Sequence, residues 1–244
     1  MRKGLPGLGS LRSDSPGATQ KRRAFFEALA LDIPGAEKIV LLHPQDGRWI
    51  NVEYEVYYPK RFDLPSSMRP FVRLEPGLRP WRPPTILKDL SSFLHQHVDS
   101  VALRTAYADN RPSGIECVHP FVTLVEKLDS VTKRYGRAQF AAEEFARHYE
   151  DLAHLVSKIG DPEPLSEATK LEVVDHCLAA RSVLPDDPAF VLADPEKRAL
   201  LERAYAAIAP MFWGERISLD ACCERVARWL TENPLRPNRG EAGS

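Results

Sequence analysis

The feature that most constrains this chain is a change of period at His119-Pro120. Before it, Ile50-Asn-Val-Glu-Tyr-Glu-Val-Tyr57 alternates apolar and polar residues two by two. After it, apolar residues recur at spacings of three and four, as at Phe121, Leu124, Leu128 and Val131. A period of two places alternate side chains on opposite faces of a strand, whereas spacings of three and four line one face of a helix. Strands followed by helices argue an α+β chain, a small sheet succeeded by a helical bundle.

The punctuation refines this outline. Residues 1–18 are rich in Gly, Pro, Ser and basic residues without periodicity, and read as a disordered N-terminus. A helix is expected from near Gln20, with Phe25, Phe26, Leu29 and Leu31 as its apolar positions and Pro34-Gly35 as its end. Lys38–Leu42 and Ile50–Tyr57, separated by Asp46-Gly47, read as a hairpin. Phe71–Glu75 is a further strand, stopped by Pro76-Gly77, and the proline-rich Arg79–Pro84 is loop. A helix over Lys88–His97 and a strand over Gly114–Val118 complete an α/β domain spanning 19–118. Helices are then expected near 120–134, 138–157, 164–181, 195–209 and 218–231, forming a helical domain over 119–232 with a flexible tail over 233–244. Pro120 suits a first helical position, where its fixed φ and missing N–H cost nothing.

Charge and composition remove some functions. The net charge of −1, with 27% charged residues, advertises no wide sequence-independent nucleic-acid surface. No apolar run reaches the roughly 18–20 residues that cross a bilayer. The basic start Met1-Arg-Lys3 has no apolar stretch behind it, so no secretion signal is read and a cytoplasmic location is expected. Cys117, Cys177, Cys222 and Cys223 have no metal-ligand spacing and read as reduced, packed thiols.

A few side chains could carry chemistry. Lys127 flanks the apolar stripe of its helix, where a lysine buries its methylenes and presents its ammonium at the edge; a snorkelling surface lysine is the plain alternative. Glu144, Arg147 and Asp151, spaced three and four apart, share a polar flank that by itself is a surface charge ladder. His148 leans toward the apolar side, as many hydrogen-bonded core histidines do. Glu75 ends a strand beside a Pro-Gly turn, a common place for metal or substrate contact and equally for a solvated carboxylate. Glu53 and Glu55 share one face of their strand, most simply the polar-out face.

Four passages in order resemble one family, the AbiEii/AbiGii-type toxin nucleotidyltransferases. Phe71-Val-Arg-Leu-Glu-Pro-Gly77, with Pro80-Trp-Arg-Pro83 after it, is similar to that family's apolar-Lys-Leu-Glu-x-Gly strand and proline loop. His119-Pro-Phe-Val-Thr-Leu-Val-Glu-Lys-Leu128 resembles its Pro-x-x-Thr-x-x-Glu-Lys helix. Ala146-Arg-His-Tyr-Glu-Asp-Leu152 resembles its Ser-Arg-His-Tyr-Tyr-Asp-Leu motif, the most specific of the four, and Ala204–Gly214 resembles its Tyr-x-x-Met-x-x-Met-Phe-x-Gly passage. Lys21-Arg-Arg23 matches a basic stretch ahead of the sheet.

The resemblance implies a minimal nucleotidyltransferase fold with a small mixed sheet, Mg²⁺, a nucleoside triphosphate (NTP) substrate and an RNA acceptor, tRNA foremost. It also implies a cognate antitoxin in a toxin–antitoxin, abortive-infection or phage-defence setting. Carried over by position, Glu75 becomes a metal-binding carboxylate, Lys127 the contact to the triphosphate with Glu126 beside it, and Asp151 a catalytic carboxylate positioned by Arg147 and His148. One departure stands out. The family's Gly-Gly-Ser/Thr segment with its Asp-x-Asp pair has no counterpart here beyond an echo in Gly9-Ser10 and Asp14. The expectation is therefore a partial nucleotidyltransferase domain, truncated and incomplete as written. The alternative is a catalytically inactive relative that binds a protein or a nucleotide.

Overall fold

The computed structural model describes residues 16–29, 31–44, 46–60, 63, 69–78, 81–91, 111–160, 163–179, 181–212 and 215–236. The chain divides into two compact units, Met1–Arg82 and Pro83–Ser244. The change of period at residue 119 thus falls inside the second unit, which begins with two strands.

In the first unit, helix α1 (Pro16–Ala28) precedes strands β1 (Lys38–Leu42), β2 (Glu53–Tyr57) and β3 (Phe71–Leu74). The sheet order is β1-β2-β3, with Val40 opposite Glu55 and Glu55 opposite Arg73. On β2 the alternation is kept: Tyr54 and Val56 are buried, and Glu53, Glu55 and Tyr57 lie on the other face. Phe26 of α1 packs with Trp49, Val52 and Tyr54, and the Tyr54 hydroxyl donates to the Phe26 carbonyl at 2.8 Å. Arg22 is buried too, its Nε donating to the Arg48 carbonyl at 2.8 Å. After β3, Asn51 and Gly77 form an isolated bridge, and a Cβ on Gly77 would lie 2.5 Å from the Asn51 side-chain oxygen. Glycine is required there because the two chains approach so closely.

α1 begins at Pro16, so the last residues of the expected disordered N-terminus are helical and Ala18 is buried. Residues 1–15, with the Gly9-Ser10 and Asp14 echo, lie outside the described residues.

In the second unit, β4 (Thr85–Lys88) pairs antiparallel with β5 (Ile115–Val118). Lys88 therefore ends a strand where a helix was expected to start, and residues 92–97 of that expected helix lie outside the described residues. Pairing with a strand about thirty residues away decided the conformation, a non-local effect that local pattern does not carry. Every described strand pairing is antiparallel, in two separate sheets, where the resemblance implied one mixed sheet.

Helices follow: α2 (Pro120–Tyr135), α3 (Arg147–Lys158), α4 (Glu167–Leu178), α5 (Pro188–Val191), α6 (Pro195–Ala207) and α7 (Leu219–Glu232). The expected helix over 138–157 is split. Ala142–Glu144 is a separate 3-10 turn, and α3 starts only at Arg147. α2 buries Phe121, Val122, Leu124, Val125, Leu128, Val131 and Tyr135, and packs against both α3 and α4, while α3 also packs against α7. Cys222 and Cys223 are buried on α7 as free thiols, and burial pushes Cys223 up to about 12. Asn233 and Arg236, expected in a loose tail, are tied down: Asn233 N–H bonds the Trp229 carbonyl at 2.8 Å, and Arg236 pairs with Asp175 at 2.9 Å. Among the described residues no helix is long and apolar enough to cross a membrane.

Candidate functional site

α2 starts sharply because two residues agree on its first turn. Pro120 occupies the first helical position, and the His119 ring accepts from the Phe121 N–H through Nδ1 at 3.1 Å. The other ring nitrogen, Nε2, lies 3.2 Å from the Glu163 carbonyl, which only accepts, so His119 is the Nε2–H tautomer. Two turns along the helix thus fixed comes Lys127, half-buried beside the apolar stripe.

Lys127 Nζ donates to Asp151 Oδ2 at 2.7 Å and lies 3.2 Å from His148 Nδ1. His148 and Asp151 are one turn apart on α3, so both reach toward α2. His148 Nδ1 is also 3.4 Å from Asp151 Oδ2. An ammonium has no lone pair, so the Lys127–His148 contact requires a bare Nδ1 and a proton on Nε2. Partial burial pushes the Asp151 carboxyl upward, but the hydrogen bond and charge of Lys127, with the His148 ring beside them, outweigh it and hold the group at about 2. The result is a carboxylate fixed in its charged form and a lysine held in place by it.

The other anticipated residues are dispersed. Glu126 adjoins Lys127 on α2 and is half-buried. Arg147 is exposed at the first residue of α3. Glu75 belongs to the first unit, just beyond β3, with its side chain 63% exposed. Arg73 Nη1 lies 3.0 Å from Glu53 and 3.9 Å from Glu75, and Glu55 accepts from the Tyr57 hydroxyl at 2.7 Å. A guanidinium therefore occupies the space between the two carboxylates where a cation would have to sit. Among the described residues no three His, Cys, Asp or Glu side chains converge as a metal site. The residues present do not fit Mg²⁺ at Glu75.

Sequence reading passed over Glu150, the side chain next to Asp151. It is 2% exposed and paired with Arg216 at 2.8 Å. A glutamate in a helix gives no sign of burial until its partner is known, and this partner is 66 residues away.

Fold and site together define a two-unit α+β protein whose helical unit holds a lysine–aspartate–histidine cluster with a preset cationic head. The model of the nucleotidyl transferase AbiEii toxin family, of type IV toxin–antitoxin systems, matches residues 10–230, and the chain belongs to that family. No curated protein and no solved structure matches it. Membership makes the chain a nucleotidyltransferase-like toxin, with an NTP as the substrate type and an antitoxin as the counterpart such systems contain.

Proposed function

We propose that this protein transfers a nucleotide from an NTP to an RNA acceptor, tRNA foremost, with Lys127 as the contact to the triphosphate. The observation that carries this reading is the 2.7 Å Lys127–Asp151 pair flanked by His148, in a chain of a nucleotidyl transferase family. In the transfer, an acceptor oxygen attacks the α-phosphorus and loses its proton, a new P–O bond forms, and pyrophosphate leaves as the α–β bridging bond breaks. Lys127 supplies a point charge to the triphosphate oxygens. Asp151 orients the ammonium, and His148 supports it through Nδ1. A preset charge costs little reorganisation when negative charge develops.

The test is incubation of the full chain with each labelled triphosphate in turn and bulk tRNA. Labelled RNA is expected with at least one triphosphate, and Lys127→Ala should lower the rate by about 10²-fold or more, the scale of losing one stabilising donor. A second reading is an inactive relative that binds nucleotide, supported by Arg73 standing between Glu53 and Glu75. Calorimetric binding of a triphosphate without transfer to any RNA would establish that second reading; neither binding nor transfer by folded protein would defeat both.

A further inference from the structure

We infer that Arg216 and Glu150 form a positioning brace that sets the Lys127–Asp151 contact from another side of α3. This rests on the proposed role of Lys127, but its central measurement does not depend on turnover. Glu150 Oε2 accepts from Arg216 Nε at 2.9 Å and from Nη2 at 2.8 Å. Arg216 Nη1 donates to the Tyr205 carbonyl at 2.8 Å, and the guanidinium lies over two rings, 4.1 Å from the centroid of Tyr205 and 4.4 Å from that of Phe212. The Tyr205 hydroxyl has one proton and three partners in reach, the Ile217 carbonyl at 2.7 Å, Glu150 Oε2 at 3.1 Å and Cys222 Sγ at 3.5 Å. The Ile217 N–H approaches Glu150 Oε1 at 3.4 Å. Among the described residues, Glu150 takes its side-chain hydrogen bonds from Arg216, Tyr205 and Ile217.

The geometry of α3 gives the brace its consequence. At roughly 100° per residue, Glu150 lies about 200° around the helix from His148 and about 100° from Asp151. One side of α3 is held to α2 through Lys127, and another side is held by Arg216. Rotation or sliding of α3 that moved Asp151 would break the Glu150–Arg216 contacts, so the brace fixes where the Asp151 carboxylate meets the lysine. A buried ion pair is a poor source of net stability and a good source of register, because desolvation offsets much of its Coulomb attraction. Glu150 stands where the resembled Arg-His-Tyr-Tyr-Asp-Leu motif has its second tyrosine. The brace also ties Glu150, in the passage Ala146–Leu152, through Arg216 to Tyr205 and Phe212 in the passage Ala204–Gly214.

Removing one partner alone strands a buried charge and endangers folding. The informative variants are therefore the paired replacement Glu150→Met with Arg216→Met, which keeps volume without charge, and Arg216→Lys, which keeps charge without the two-point grip. The first readout is the ¹H–¹⁵N signal of the Lys127 ammonium in lysine-labelled full-length protein, visible where Asp151 protects it from exchange. The second is calorimetric affinity for a triphosphate. Expected is a thermal midpoint close to the parent's for the paired variant, with the Lys127 signal lost or shifted and affinity weakened about tenfold. Arg216→Lys should fall between that variant and the parent. An unchanged Lys127 signal in both folded variants would overturn the brace. If the parent itself bound no triphosphate, the proposed function would fail, and the Lys127 signal would still decide this inference.

Discussion

Asp151 departs clearly from a solvated carboxylate, held by Lys127 at 2.7 Å. Its folded pKa of about 2 lies below its ordinary value of 3.8. A group depressed on folding stabilises the fold above its unfolded pKa and loses that contribution as pH falls through the folded value. The ion pair is therefore fully stabilising above about pH 4 and spent near pH 2. Because the Asp151 side chain is 38% exposed, solvent screening limits the effect to about 1 kcal/mol or less. Urea unfolding of Asp151→Asn against the parent should show the largest gap at pH 5–6, closing toward pH 2.5; a gap constant with pH would mean that the charge contributes nothing. The convergence of Lys127 and Asp151 was only partly legible in the sequence. Helical spacing places His148 beside Asp151, but only the family motifs suggested that a second helix brings Lys127 to them. Glu150 shows the opposite limit, since its burial depends on an arginine beyond α6.

At the scale of elements, helix starts marked by a proline or a capping side chain were legible, because those signals are local. Ser166 caps α4 and Ser218 caps α7 through side-chain oxygens. Pro120 opens α2 where proline chemistry places it. Asp194 is the fullest example: its Oδ1 accepts from both Glu196 N–H at 3.0 Å and Lys197 N–H at 3.1 Å, with Pro195 at the first position of α6. Asp194→Ala leaves two amides without that partner and removes a negative charge from the helix start. It should cost about 1–2 kcal/mol in denaturant unfolding with the slope unchanged. A loss under a few tenths would show that water replaces the cap. The split of the expected 138–157 helix was not legible, since Phe140 and Phe145 continue an apolar pattern through it. Their rings meet edge to face with each other and with Tyr135, and Phe145 lies tilted against Tyr149, an aromatic cluster that packs the turn without needing helix. β4 was missed for the related reason that its partner strand is distant.

At the scale of the whole molecule, a net charge of −1 conceals an uneven division. Met1–Arg82 carries 14 Lys and Arg against 9 Asp and Glu, a balance of +5, while Pro83–Ser244 carries 19 against 25, a balance of −6. The sequence contained this asymmetry, but it becomes visible only once the boundary at Arg82 is known, and the composition as a whole argued against it. Opposite balances in two units suggest separate tasks, and a basic unit is the natural seat of a polyanionic acceptor. Lys21, Lys38 and Lys60 are exposed in the first unit, and Lys133, Lys158 and Arg203 are exposed in the second. If RNA phosphates run along the first unit, Lys21→Glu, Lys38→Glu and Lys60→Glu together should weaken binding of bulk tRNA. They should also flatten the dependence of log affinity on log salt by about 2 to 3, since each lost phosphate contact removes nearly one unit of slope. The triple reversal at Lys133, Lys158 and Arg203 should leave the slope nearly unchanged. Binding measured by fluorescence anisotropy between 50 and 200 mM salt, the range over which such contacts change affinity by orders of magnitude, separates the two sets. Equal slopes for both triples would place the acceptor on no particular unit and leave the charge division without a role in RNA binding.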